Sequence, residues 1–139
     1  MNQPTLGEIM TADVRTLQED QPVLDALQFL YQNHVRHVPV MKGDALVGVI
    51  TDRDVKRATP SALVPSQREV YEKVVKGTQL TKIMTRDPTT ASPGTLLQDG
   101  LRLFVEERIG CLPILEDGKL VGIVTGSDLF KAMLELLES

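Results

Sequence analysis

The amino-acid sequence predicts an α/β (α+β) fold built from two tandem β-α-β-β-α units. The chain matches itself without a gap when residues 6–58, the first copy, are laid on residues 80–132, the second copy. In each copy, β-branched runs of strand length alternate with stretches of helical periodicity. A copy of about 53 residues is marginal as an independent domain. We therefore expect the copies to bury apolar faces against each other with pseudo-twofold symmetry.

The last strand of each copy ends in a repeated polar motif. An apolar, β-branched run leads to Thr51-x-x-Asp54 in the first copy and to Thr125-x-x-Asp128 in the second. A helix should begin at each Thr, where Thr and Asp can form a capping box. The same groups can bind a nucleotide, because a helix start suits a phosphate and a carboxylate can accept from both ribose hydroxyls. The residues alone leave both interpretations open, and the cap is the commoner outcome.

The preceding elements of the first copy follow from periodicity and turn residues. Residues 6–10 predict a short helical turn, and Arg15-Thr16-Leu17 predict a short strand. Pro22 opens a helix whose apolar stripe ends at His34. The strand Val38–Met41 contains a Pro, so we expect it at a sheet edge or beside a cleft.

Turn residues follow the Pro-containing strand in both copies. Lys42-Gly43-Asp44 predicts a hairpin turn, and Glu116–Lys119 is its counterpart in the second copy.

The segment between the copies is expected to be ordered. Ser66–Glu69 reads as a capping box, and the helix that it opens should stop at Gly77. The predicted organisation is therefore a first domain at 1–58, a linker at 59–79 and a second domain at 80–139. The terminal helix has a wide apolar surface formed by Leu129, Phe130, Met133, Leu134, Leu136 and Leu137.

Composition and charge argue against several classes of protein. The chain has 139 residues, a hydrophobic content of 42% and a net charge of −4, whereas nucleic-acid-binding surfaces are basic. No apolar run approaches the roughly 18 residues of a membrane span. The first residues resemble neither a signal peptide nor a transit peptide. The single Cys excludes an internal disulfide. We expect a cytoplasmic protein that binds neither nucleic acid nor membrane.

No combination of residues indicates catalysis or a metal site. His34 and His37 are separated by a predicted helix end, without a third ligand nearby. Cys111 has no His in its own copy and is expected to be a buried strand thiol. Asp13 and Asp87 lie in ordinary turn contexts. We therefore expect a non-enzymatic protein with no catalytic residues and no metal.

The repeat resembles a tandem pair of CBS domains, a Bateman module, over nearly the whole chain. The matching segments are Ile9-Met10-Thr11 and Ile83-Met84-Thr85, Val38-Pro39-Val40 and Leu112-Pro113-Ile114, and the two Gly-x-x-Thr-x-x-Asp stretches. Residues 57–61 and Thr85-Arg86-Asp87 are similar to the acetoin-utilisation branch of stand-alone bacterial CBS proteins.

The resemblance implies a regulatory module, such as an energy sensor, that binds an adenosine ligand in clefts between the copies. The ligand would be AMP, ADP, ATP, NAD or an S-adenosylmethionine-type molecule, with no covalently bound cofactor. Asp54 and Asp128 would hold ribose hydroxyls, and Thr51 and Thr125 would contact phosphate. On this basis the resemblance favours ligand binding over a simple helix cap.

The other candidate ligand-binding residues lie near the first strands, the Pro-containing strands and the helix starts. They are Val14, Thr16, Arg36, His37, Pro39, Arg53, Thr90, Pro113 and Ser127. A guanidinium suits phosphate because it donates bidentately, although a lone Arg is more often a solvated surface residue. The second copy has Gly110 and Ser127 where the first has Arg36 and Arg53, so the cationic contacts are expected mainly in the first copy.

Two other functions stay open from the sequence. One is an interaction or oligomerisation module with empty clefts. The other is an enzyme that uses Asp54 or Asp128 as an acid or base on an adenosine ligand. The resemblance also implies a homodimer and an effector protein, which the sequence does not identify.

Overall fold

A computed structural model describes residues 3–139 and confirms the predicted α/β (α+β) class. The helices of these residues are α1 Leu6–Ile9, α2 Val23–Gln32, α3 Asp52–Ala58, α4 Arg68–Gly77, α5 Leu97–Glu107 and α6 Gly126–Glu138. The strands are β1 Leu17–Gln18, β2 His37–Lys42, β3 Ala45–Thr51, β4 Thr85–Arg86, β5 Cys111–Glu116 and β6 Lys119–Thr125. Short 3₁₀ turns lie at Pro65–Gln67 and Leu80–Lys82. No helix among these elements is long and apolar enough to cross a membrane.

The chain packs as two compact units. One, the Arg15 unit, is Arg15–Asp87; the other, the Pro88 unit, combines residues 3–14 with Pro88–Ser139. The units therefore differ from the sequence copies at 6–58 and 80–132. The first residues of each copy pack with the remainder of the other copy.

The Arg15 unit contains a four-stranded sheet in the order β1-β2-β3-β4. The hairpin strands β2 and β3 pair antiparallel, β1 adds parallel to β2, and β4 adds antiparallel to β3. Helices α2, α3 and α4 contribute Ala26, Val55 and Val75 to its core, so α4, from the segment between the copies, packs in this unit. The strand and turn residues in the same core include Val38, Val40, Ile50, Leu80 and Met84.

The Pro88 unit is built on the hairpin of β5 and β6. Thr11 and Ala91 each add an isolated bridge, to β6 and β5 respectively. Fully buried Leu6, from α1, lies in the core of this unit with residues from the second copy. Those residues are Leu97, Leu112, Ile114, Val124, Leu129 and Ala132.

Both hairpins turn at the predicted residues. Gly43 has φ +60°, as a two-residue hairpin loop with Gly in its first position requires. In the other loop Asp117 and Gly118 both have positive φ, as in a type I′ turn.

The structure corrects two expectations. Of the two positions expected for strand β2, the sheet edge is wrong, because β1 pairs with Val40 and Met41. Pro39 lies just beyond that short pairing, where β1 needs no donor from it. The capping box expected at Ser66 does not form. Pro65 starts a 3₁₀ turn that includes Ser66, and α4 begins after Gln67, which makes no side-chain cap.

A Met side chain lies against a strand Gly in each unit. A Cβ added at Gly48 would stand 2.7 Å from Met84 Sδ and 2.8 Å from the Thr85 carbonyl oxygen. A Cβ added at Gly122 would overlap Met10 Sδ. Gly is therefore needed at these two strand positions because another segment of backbone approaches closely.

Candidate functional site

Thr51 and Asp54 join the end of β3 to the start of α3. The Asp54 N–H donates to Thr51 Oγ1 at 3.0 Å, and the Thr51 N–H donates to Asp54 Oδ2 at 2.9 Å. These two bonds form the capping box that the sequence indicated, so the local structure of the motif is explained without a ligand.

The second copy repeats the acid half of this arrangement where β6 meets α6. The Thr125 N–H donates to Asp128 Oδ2 at 2.9 Å, but the Thr125 side chain makes no cap hydrogen bond to the start of α6. The Thr125 hydroxyl also lies 3.3 Å from that oxygen. In both copies the backbone cap thus uses Oδ2 of the carboxylate.

Two Thr residues outside the predicted set approach these acids. Thr85 Oγ1 lies 3.4 Å from Asp54 Oδ1 and 3.3 Å from Oδ2, and Thr11 Oγ1 lies 3.5 Å from Asp128 Oδ1. Both follow the repeated Ile-Met pair. The repeat marked Thr11 and Thr85 as equivalent positions, but it did not indicate that each contacts the acid of the other copy.

Three further candidates, Arg36, His37 and Arg53, lie next to the Thr51–Asp54 motif along the chain or across the hairpin. His37 pairs with Thr51 across the hairpin, and the Arg36 carbonyl accepts from the Asp52 N–H at 3.1 Å. Burial lowers the pKa of His37; Asp52 and Asp54 oppose this effect, while Arg36 adds to it. The Arg36 and Arg53 side chains are exposed, as a phosphate contact would require.

The Pro88 unit has different neighbours around its acid. Cys111 takes the place of His37 and pairs with Thr125. Burial raises the pKa of the Cys111 thiol to about 12, so it is neutral at physiological pH. This confirms the expected buried strand thiol. Exposed Ser127 stands where the other unit has Arg53, so this site lacks that cation.

The remaining candidates are divided between the units. Thr16 and Pro39 lie in the Arg15 unit, and Val14, Thr90 and Pro113 lie in the Pro88 unit. Pro39 and Pro113 are fully buried, so they do not offer free surface. Thr90 precedes Ala91, whose N–H donates to the Pro113 carbonyl. Within residues 3–139, no hydrogen bond joins the Thr16 or Thr90 side chain to Asp54 or Asp128, so the structure does not bring these two candidates to the acids.

Each group can accept hydroxyl donors from a ligand. A carboxylate has about four lone-pair directions, and the cap takes one of them at Oδ2. Within residues 3–139, Oδ1 of either acid has no contact besides the long one from a Thr hydroxyl. This oxygen is the group that a diol such as ribose would use.

Comparison with known proteins agrees with this fold. The CBS domain family model matches residues 6–61 and 80–135. A CBS domain-containing protein of Dictyostelium discoideum is 31% identical over 133 residues, which cover 94% of this chain and 92% of the relative. Other curated relatives are longer, and the chain spans 44% and 25% of two of them.

Two solved structures have similar folds. The putative acetoin utilization protein AcuB of Vibrio cholerae has a TM-score of 0.80 and 27% identity, over 99% of this chain and 95% of that chain. CBSX2, solved in complex with AMP, has a TM-score of 0.79 and 29% identity, over 96% and 98%. The first of these confirms the similarity to the acetoin-utilisation branch. Since the repeat, the fold and the family match coincide, the chain belongs to the CBS domain family as a tandem CBS pair.

Proposed function

We propose that this CBS pair is a non-enzymatic regulatory module that binds an adenine nucleotide or a related adenosyl ligand at Asp54 and Asp128. The observation that carries the proposal is the carboxylate of each Thr-x-x-Asp motif, whose Oδ2 holds the helix start while Oδ1 accepts no backbone N–H within residues 3–139. One acid can therefore cap a helix and accept a ribose hydroxyl at the same time.

The residues around the two acids differ, which supports a different affinity for the same phosphorylated ligand at each site. Arg53 precedes Asp54 in the chain, and Arg36 and His37 lie across the hairpin from Asp52 and Thr51. All three side chains can donate to a phosphate. Cys111 and Ser127 take the places of His37 and Arg53 beside Asp128 and carry no positive charge. A phosphorylated ligand such as AMP should therefore bind more tightly at the Asp54 site. The AMP complex of CBSX2 supports adenine nucleotides as the first class to test.

A thermal-shift panel tests this function. AMP, ADP, ATP, NAD and S-adenosylmethionine are added at millimolar concentration, and any binder is titrated by calorimetry. A ligand at 100 times its dissociation constant stabilises the folded state by about 2.7 kcal/mol. The shift should be lost in an Asp54→Ala, Asp128→Ala double variant that is still folded.

The same experiment separates the alternatives. A chain that is not shifted by any of the five ligands would be an interaction or oligomerisation module with empty sites. Turnover of ATP or S-adenosylmethionine, measured by product analysis, would instead indicate an enzyme. The proposed function requires that a ligand raises the melting temperature of the protein and is recovered chemically unchanged.

A further inference from the structure

The imidazole of His37 lies close to the acids at the start of α3 and has no fixed partner. His37 pairs with Thr51 across the hairpin, and the carbonyl of the preceding Arg36 accepts from the Asp52 N–H at 3.1 Å. These main-chain contacts hold the start of β2 against the start of α3. The ring is half-buried and makes no side-chain hydrogen bond within residues 3–139. Its nitrogens are therefore not committed to a partner in the described part of the chain.

The charged groups that act on this ring oppose one another. Burial lowers the pKa of His37 below the ordinary value of about 6.5; Asp52 opposes the shift, Arg36 adds to it and Asp54 opposes it. In the free protein the ring is therefore mainly neutral at pH 7, although two carboxylates of α3 lie near it. A ligand anion within about 4–6 Å would raise the pKa, because it stabilises the charged form of the imidazole.

We propose that His37 links binding of a phosphorylated ligand at the Asp54 site to the uptake of a proton, so that the site binds such a ligand more tightly in mild acid. The proton passes from solvent to the free ring nitrogen, and the imidazolium then has an additional N–H to donate to a phosphate oxygen. This inference rests on the proposed function and adds a pH dependence to one of its two sites.

The affinity should change with pH only between two pKa values of His37, that of the free protein and the higher one of the complex. Above both values the ring is neutral and the affinity does not depend on it. As the pH falls through the pKa of the complex the affinity rises, and it levels off below the pKa of the free protein, where the ring is already charged. Each unit of difference between the two values corresponds to about a tenfold change in affinity.

The Asp128 site has no imidazole at the equivalent position. Cys111 stands there, paired with Thr125, and burial raises the pKa of its thiol to about 12. A thiol of this kind stays neutral on both sides of pH 7. Proton uptake by the protein is therefore expected at the Asp54 site, in addition to any titration of the ligand's own phosphate, whose pKa is about 6.

Calorimetry with AMP tests the linkage in an Asp128→Ala background, which leaves only the Asp54 site. Titrations at pH 7 in two buffers of different ionisation heat give the number of protons taken up on binding. Adding His37→Asn, which is neutral at every pH, leaves the contribution of the AMP phosphate alone. With His37 intact the uptake should be larger by a fraction of a proton. From pH 8 to pH 6 the affinity should also rise about 3- to 10-fold more than in His37→Asn.

NMR signals of the ring measure the pKa of His37 directly. Saturation with AMP should raise it, whereas adenosine, which has no phosphate, should leave it at the value of the free protein. The exposed His34 provides the matched control, and His34→Asn should keep the full proton uptake. In an Asp54→Ala background, which leaves the Asp128 site, the uptake should be that of AMP alone.

The outcomes separate this inference from the proposed function. Failure of the unsubstituted protein to bind AMP would overturn the assignment of this nucleotide, and this inference with it. AMP binding with the same proton uptake before and after His37→Asn would overturn the inference alone. An equal rise of the His37 pKa with adenosine would also overturn it, because that result would indicate a change in burial rather than a phosphate contact.

Discussion

At the scale of single residues, Asp54 caps a helix and is the proposed ribose acceptor, and one substitution separates the two roles. In Asp54→Asn the amide oxygen can still accept from the Thr51 N–H, whereas the NH₂ group cannot accept a ribose hydroxyl. We expect ligand affinity to fall about 10- to 100-fold, as for a lost charged acceptor. The free energy of unfolding should stay closer to that of the unsubstituted protein than in Asp54→Ala, where losing the cap costs about 1 kcal/mol.

Urea unfolding and calorimetry on the same preparations measure the two quantities. Asp128→Asn and Asp128→Ala form a parallel pair at the other site. If Asp54→Asn bound the ligand as tightly as the unsubstituted chain, the acid would be a cap only, and the ribose would have to be held elsewhere.

His37 should make the stability of the chain fall in mild acid. Burial lowers its pKa in the folded state below the ordinary value of about 6.5. The unfolded chain therefore binds a proton first as the pH drops, which favours unfolding. The contribution of the neutral imidazole is present above about pH 6.5 and is lost as the pH falls toward the lower folded-state pKa.

Chemical unfolding between pH 7 and pH 5 measures this effect. The slope of stability against pH should be smaller in His37→Asn than in the unsubstituted chain. The exposed His34, which has φ +52° at the end of α2, provides a control, since His34→Asn suits that conformation and should retain the slope. Equal slopes in all three proteins would contradict the prediction.

At the scale of elements, the Gly–Met contacts join the short turns to the hairpins. Gly48→Ala and Gly122→Ala would each place a methyl group against a Met side chain and a nearby carbonyl oxygen. We expect each to lower the free energy of unfolding by about 1–3 kcal/mol, as is typical of overpacking. Denaturant midpoints with unchanged m-values measure the loss.

Two other glycines in open space provide controls. A Cβ at Gly77 or Gly94 meets no heavy atom within 4 Å. Gly77→Ala and Gly94→Ala should leave stability unchanged or slightly raised. Truncation of Met10 to Ala should reduce the added cost of Gly122→Ala, because it removes the two side-chain atoms nearest the new methyl group and leaves only the Thr11 carbonyl oxygen at 3.1 Å. If Gly122→Ala cost the same with and without Met10, the close approach would not be the cause.

The elements set by local chemistry could be predicted from the sequence. The hairpins follow from Gly43 and from the Asp117-Gly118 pair, and the helix after β3 follows from Thr51 and Asp54. The start of α4 could not be read from Ser66 alone. Pro65 comes before Ser66 and starts a 3₁₀ turn that runs to Gln67. Ser66 therefore lies inside that turn and cannot cap the helix.

At the scale of the whole molecule, the sequence predicted the repeat but not which segments pack together. Leu6 lies in the core formed by the second copy, and Leu80 lies in that of the first. Leu6 and Leu80 occupy equivalent positions of the repeat. The same apolar pattern would therefore fit whether each Leu packed in the core of its own copy or in the core of the other copy. The Thr contacts to Asp54 and Asp128 depend on this exchange, and for that reason they were absent from the candidates drawn from sequence.

The terminal helix presents an apolar surface to solvent. Leu129 and Ala132 are buried in the Pro88 unit, whereas Phe130, Leu134 and Leu137 are 70%, 56% and 82% exposed. Their spacing puts them on one face of α6. Contiguous exposed apolar residues usually mark an interaction surface, and a twofold dimer would use the same face of both chains.

We therefore predict a homodimer in solution that contacts its partner through α6. Light scattering at micromolar concentration should give close to twice 15.3 kDa. Leu137→Asp and Leu134→Asp should each shift the mass toward the monomer, because a buried carboxylate at the interface would be unpaired. Leu63, which is 89% exposed outside α6, provides the control, and Leu63→Asp should leave the dimer intact. A monomer for the unsubstituted chain would refute the assembly, whereas a dimer resistant to both α6 substitutions would place the interface on another face.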